Sequence, residues 1–181
     1  MPKIAVIADS NCGIMPSEEE KYGLHILPMP VIIDGKTYCE GTDISLEEFY
    51  RRQSQGAVIS TSQPSPGDVT AMWDRLLETH DEIVFIPMSS GLSSTCQTSL
   101  LLAAEEPYKG KVFVVDDHRI SVTQAVAALE ARNLAEAGKS AAEIKEILEK
   151  EAMDATIYIA VDTLEYLKKG GRITAAAAAL G

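Results

Sequence analysis

Lys3-Ile4-Ala5-Val6-Ile7-Ala8 runs directly into Asp9-Ser10-Asn11-Cys12-Gly13. The first stretch is short, apolar and rich in β-branched residues, the pattern of a strand buried on both faces. The second is small and polar, the pattern of a loop leaving that strand. Working outward, the alternation repeats. Pro16–Tyr22 reads as a short helix with acids in its first turn and Gly23 as its stop. Leu24–Ile33 reads as extended, with Pro28 and Pro30 marking it as an edge or irregular strand. Asp34-Gly35 turns a hairpin into Lys36-Thr37-Tyr38. Ser45-Leu46-Glu47-Glu48 and Ser140-Ala141-Ala142-Glu143 have capping-box spacing.

Ser65-Pro66 opens the clearest helix, in which Val69, Met72, Trp73, Leu76 and Leu77 form one apolar face. Glu82–Met88 and Lys111–Val115 read as strands, each followed by a helix, and Thr156–Val161 reads as a last strand before a helix over Asp162–Lys169. Strands separated by helices predict an α/β fold, a mostly parallel sheet flanked by helices. In such sheets ligands bind beyond the carboxyl ends of the strands. Three polar loops leave strands there: Asp9–Gly13, Ser89–Ser93 and Asp116–His118.

A chain of 181 residues can bury a sizeable core without metal or disulfide staples. Its 46% apolar and 24% charged residues, with a mean hydropathy of +0.01, are ordinary for a folded domain. With 27 acids against 16 bases, a net charge of −11, it is poorly suited to nucleic acid or an anionic membrane surface. No apolar run approaches the roughly 18 residues needed to span a bilayer, so stable membrane insertion is not expected. The apolar start is too short for a signal peptide. Three cysteines without C-x-x-C spacing point to the cytoplasm rather than to a disulfide framework, and no His or acid stands at metal-ligand spacing beside them.

Ser89-Ser90-Gly91-Leu92-Ser93-Ser94-Thr95 holds more hydroxyls than one helix cap needs. Ser60-Thr61-Ser62-Gln63-Pro64-Ser65 is a second hydroxyl cluster before a helix. Each alone reads as a loop and a cap; together they suggest a pincer of neutral donors around a small anion, a carboxylate or phosphate. Lys168-Lys169-Gly170-Gly171-Arg172 either complements a helix C-terminus or sets an arginine fork near a phosphate. A hydrolase reading would use Ser93 as nucleophile and His118 as base, but Thr95 stands where a nucleophile elbow has its closing glycine. Neither a P-loop nor a dinucleotide fingerprint occurs, so no cofactor is expected.

At these residues the chain resembles the DegV family of bacterial fatty-acid-binding proteins. The matching segments are Lys3–Ser10, Pro30–Tyr38, Thr61–Gly67, Ser89–Ser93 and Val161–Ile173, in the family's order. The resemblance implies a two-domain α/β carrier, not itself an enzyme, that buries one fatty acid between its domains. It implies a carboxylate held by Thr61 or Ser62 and by Ser93. The implied ligand is a long-chain fatty acid of roughly C14–C18, each buried CH₂ contributing about 0.8 kcal/mol. Some members present the acid to the ATP-binding subunit of a fatty acid kinase, whose acyl phosphate feeds phospholipid synthesis; Arg172 is the implied phosphate partner. Ser94 replaces a usual glycine, and Asn11-Cys12-Gly13 replaces the usual small polar run. The resemblance assigns residues 1–153 to a first domain and 154–181 to the beginning of a second, lipid-covering one whose later part is missing. The apolar run Ala175–Leu180 is then expected to lie uncovered.

Overall fold

A computed structural model describes residues 2–174. In chain order its elements are β1 (Ile4–Asp9), α1 (Glu19–Tyr22), β2 (His25–Leu27), β3 (Pro30–Ile33), β4 (Lys36–Cys39), α2 (Leu46–Ser54) and β5 (Ile59–Thr61). They continue with α3 (Pro66–Leu77), β6 (Glu82–Ile86), α4 (Thr95–Ala103), β7 (Val112–Val114), α5 (Val122–Glu136), α6 (Ala141–Lys150) and α7 (Glu165–Lys169).

Two sheets form. The larger is parallel throughout, in the order β2-β1-β6-β7. Alternate residues of β1 serve its two faces. Val6 and Ala8 pack with Val84, Ile86 and the α5 and α6 residues Ala127, Ala131, Ile144 and Leu148. Ala5 and Ile7 pack with Ile83, Phe85 and the α3 residues Val69, Met72, Trp73 and Leu76. Trp73 lies edge-on to both Phe85 and Tyr108, with ring centroids 6.2 and 5.1 Å away. Helices thus cover both faces, as the sequence pattern implies.

The smaller sheet is antiparallel, in the order β4-β3-β5. The stretch Leu24–Ile33 supplies one strand to each sheet. Its first part, β2, is an edge strand as expected, but β3 is central to the small sheet. Pro30 is tolerated there because it is the first residue of β3. Asp34 and Gly35 both take positive φ, 50° and 80°, the backbone of the tight turn that suits a two-residue hairpin. Val31, Ile33 and Ile44 form a minor core, with Phe49 of α2 packed against it.

The caps at Ser65 and Ser140 are reciprocal boxes with Asp68 and Glu143. Ser45 caps α2 one way only: its hydroxyl accepts the Glu48 N–H at 3.2 Å. The Glu48 carboxylate is instead drawn away by Arg51 and Arg52. The strand expected over Thr156–Val161 does not form. A strand needs a neighbour to share its ladder, and none lies beside these residues among those described; Tyr158 is 94% and Ile159 61% exposed. Residues 175–181, with the apolar run, lie outside the described residues. No helix among the described residues is long and apolar enough to cross a membrane.

Candidate functional site

β1 has β2 on one side and β6 on the other, so the sheet order reverses direction between β1 and β6. At the carboxyl end of that pair the two departing chains diverge and leave a crevice. The Asp9–Gly13 turn and the Ser89–Ser93 loop stand at this crevice. β3 follows β2 after only two residues, and Pro30, Val31 and Thr61 of the small sheet line the same cavity as Asn11, Met88 and Ser93.

An apolar cavity of about 180 Å³ opens there. Met29, Val31, Ile44, Phe49 and Met88 contribute its wall, and Leu46 and Tyr50 of α2 its rim. A wider, polar cavity of about 420 Å³ adjoins it, with Gln63, Ser90, Gly91 and Ser94 in its lining. Thr61, Ser62, Ser93 and Arg172 line both. The residues named from sequence therefore converge at the junction between an apolar and a polar compartment.

Each is placed by local chemistry. Thr61 ends β5 opposite Val31, which delivers Thr61 and Ser62 to the cavity mouth. Gln63 is tied to α4 by the Thr98 hydroxyl, which donates to Gln63 Oε1 at 3.1 Å, so the first hydroxyl loop is joined to the helix that follows the second. Ser93 Oγ accepts the Thr95 N–H at 3.2 Å and so caps α4. Arg172 follows α7 and folds back, its Nη1 donating to the Gly170 carbonyl at 2.5 Å. A Cβ on Gly170 would stand 2.9 Å from that nitrogen, the movable end of a side chain, whereas Gly171 has φ +73°, a backbone that favours glycine.

The polypeptide matches the family model described as "uncharacterised protein, DegV family" over residues 3–181. The chain belongs to the DegV family. It is 34% identical over 179 residues to a DegV domain-containing protein of Deinococcus radiodurans, covering 98% of this chain and 63% of that one. It superposes on a DegV family protein from Thermus thermophilus, whose structure is described as one of fatty acid binding, with a TM-score of 0.85 and 33% identity over 99% of this chain and 64% of that one. A DegV of Bacillus subtilis described as a fatty-acid-binding protein gives a TM-score of 0.82 at 27% identity, covering 100% of this chain and 64% of that one. The chain thus spans less than two thirds of the length of these relatives.

In this DegV chain Ser94 is the N-cap residue of α4 by position, yet its side chain makes no capping bond; Ser93 does that work. Its backbone, φ −77° and ψ 0°, is open to any residue, so replacing glycine there needs no strain. Asn11 and Cys12 lie in a 3₁₀ turn that Asp9 caps. Asn11 also reaches the apolar cavity.

The Ser93–His118 pairing of a hydrolase does not occur. The partner of Ser93 Oγ is Thr95 Oγ1 at 2.8 Å. His118 Nδ1 faces Ser90 Oγ at 3.4 Å and Asp116 Oδ1 at 3.6 Å. Hydroxyl and carboxylate meet the same ring nitrogen, so the ring cannot pass a proton from one to the other as a triad requires. The buried thiols are no better nucleophiles: burial pushes Cys12 up to about 11 and Cys96 to about 12. No group of three or more His, Cys, Asp or Glu that could hold a metal occurs among the described residues. What the arrangement can do is grip an anion by hydroxyls and one guanidinium while its apolar part enters the cavity.

One contributor, Glu40, escaped the sequence reading, and another, Asp9, was named only as the start of a polar loop. Glu40 lies on the cavity wall, where it accepts the Ser10 hydroxyl at 2.5 Å and burial raises its pKa. Asp9 is wholly buried behind the loops. The sequence offered a signal for Asp9, a polar Asp-Ser pair closing an apolar strand, and none for Glu40, which meets Ser10 only through the fold.

Proposed function

We propose that this chain binds a long-chain fatty acid of roughly C14–C18, its carboxylate held by the hydroxyls of Thr61, Ser62 and Ser93 and its tail in the apolar cavity. The observation that carries the reading is the sharing of those three hydroxyls by a polar and an apolar compartment. An amphiphile with an anionic end needs that pairing, whereas a wholly polar anion has no use for Met29, Val31 and Phe49. The fatty-acid-binding descriptions of the Thermus and Bacillus relatives support it.

The protein acts as a carrier in this reading. Arg172, which lines both compartments, is in this reading the partner of a phosphoryl group arriving from the polar side. The role that follows is presentation of the acid to the ATP-binding subunit of a fatty acid kinase, with the acyl phosphate passing to phospholipid synthesis. The cytoplasm suits a chain whose three thiols are all unpaired. Residues 154–181 belong, in this scheme, to a second lobe over the tail; the exposed side chains of Tyr158 and Ile159 are suited to packing in it.

Mass spectrometry of an organic extract of the purified protein tests the reading. A stoichiometric fatty acid from the expression host, replaced by added oleate or palmitate, is expected. Extracts free of fatty acid, with no uptake of either added acid, overturn it.

A further inference from the structure

Asp9 ends β1 at the point where the sheet order reverses, and its side chain is 0% exposed. Every polar group that meets it donates. Oδ2 accepts the Met88 N–H at 2.7 Å. Oδ1 accepts the Asn11 N–H at 3.1 Å, the Asn11 amide at 3.0 Å and the Gln124 amide at 3.0 Å. Gln124 cannot be reversed, because its Nε2 also donates to the Ile86 carbonyl at 3.1 Å; turned over, its oxygen would face two acceptors. Four donors and no acceptor demand a carboxylate in its ionised form. Burial opposes this and raises the Asp9 pKa, while each of these hydrogen bonds lowers it.

The shortest of the four contacts leads into the headgroup loop. Met88 precedes Ser89, whose N–H donates to the Arg119 carbonyl at 2.8 Å. The Ser89 carbonyl in turn accepts the N–H groups of Leu92 at 2.9 Å and Ser93 at 3.2 Å. The position of Ser93 is therefore set by a turn whose entry is fixed at Met88. The residue after Asp9 does the same for the tail wall: Ser10 Oγ donates to Glu40 and accepts the Met29 N–H at 3.0 Å.

We infer that Asp9 is the positioning residue of the carboxylate site, an anionic post that holds the Met88 N–H and through it the turn that aims the Ser93 hydroxyl at the ligand. The inference rests on the reading of Ser93 as a fatty-acid ligand. It places the negative charge outside the lining of both cavities, so that it orders the donors without facing the ligand.

The test is a double-mutant cycle on this chain with Asp9→Asn and Ser93→Ala, read by palmitate affinity and by the amide resonances of Met88–Ser93 in the ligand-free protein. Asn presents an amide to a set of donors, so at least one contact is lost. Asp9→Asn is expected to move those resonances and weaken palmitate binding about tenfold, a change of about 1.4 kcal/mol. In the Ser93→Ala background it is expected to cost almost nothing more, because its effect passes through that hydroxyl. A merely structural role would give the same loss in both backgrounds and overturns the inference, as do unmoved resonances. Should Asp9→Asn not fold, replacing the amide between Pro87 and Met88 by an ester deletes the single N–H and leaves every side chain in place. A similar loss of affinity is then expected, and full affinity overturns the inference. If the unaltered chain takes up no palmitate, the fatty-acid reading fails by itself, and the ligand-free resonances still decide whether Asp9 sets the loop.

Discussion

The hydroxyl oxygens of Ser93 and Thr95 stand 2.8 Å apart at the start of α4, with Thr95 buried and Ser93 half-exposed toward the cavity mouth. Ser93 thus belongs to the helix cap and to the site at once. Substitution with alanine separates the two roles. Ser93→Ala is expected to weaken palmitate binding by about 1.5–3 kcal/mol, the range for a hydrogen bond to a charged group, and to lower stability by about 1 kcal/mol through the lost cap. Thr61→Ala is expected to give a similar loss of affinity with a smaller change in stability, since Thr61 is exposed. Calorimetric titration and thermal unfolding measure both. Unchanged affinity in each single variant and in the double variant would reduce these hydroxyls to caps.

Arg172 is expected to matter for phosphoryl transfer more than for acyl binding, because neutral donors already surround the carboxylate position. Arg172→Ala should retain its fatty acid in organic extracts while acyl-phosphate formation slows when the ATP-binding subunit is supplied. Loss of the lipid, with undiminished turnover of what remains bound, would exchange the two roles.

On α2, Leu46 is 45% and Tyr50 58% exposed although both line the apolar cavity. Apolar area open to water in the free protein contributes to binding only when the tail covers it. Leu46→Ala and Tyr50→Ala are each expected to cost about 1 kcal/mol of affinity at about 25 cal/mol per Å², with little change in stability. A stability loss larger than the affinity loss would assign these side chains to the core of the small sheet.

Asp117 is wholly buried beside Arg119, and its native pKa is raised by burial from 3.8 to about 6. The native state therefore holds this proton more tightly than the unfolded chain. The corresponding stability is full below about pH 4 and is lost as pH rises through about 6, amounting to at most about 3 kcal/mol. Asp117→Asn, which keeps an oxygen for the Arg119 N–H, is expected to be more stable than the parent at pH 7.5 and to approach it at pH 4. Urea unfolding at the two pH values reads this directly. A variant no more stable at pH 7.5 contradicts it.

Much of the fold was legible because its signals are local. The β1 run, the Asp34-Gly35 turn, the Ser65-Pro66 helix start and the apolar face of α3 each declare themselves within a few residues. Thr61, Ser62, Ser93 and Arg172, which meet at one cavity mouth, stood out for another reason: hydroxyl clusters in excess of capping needs, and a family pattern around them. What escaped depended on distant partners. The short strand β5 joins β3 and β4 in a sheet of their own because chain far apart in sequence pairs, whereas 156–161 has strand composition and lacks a neighbour among the described residues. Gln124 carries no local signal in the helix after β7; its meaning comes from Asp9, 115 positions away. Phe49 and Tyr50 follow the capping-box spacing at Ser45 without any local mark of a site, and only the placement of α2 brings them to the cavity.

Trp73 is the single tryptophan of the chain, and it is 1% exposed in the core against the opposite face of the sheet from α5 and α6. It lines neither the apolar nor the polar cavity. Its fluorescence is therefore an internal gauge of that core: emission should shift to the red when α3 and the sheet come apart, and stay unchanged while lipid enters or leaves. One chromophore, supplied by the native sequence, lets every variant above be sorted into those that have lost their fold and those that have lost only their ligand.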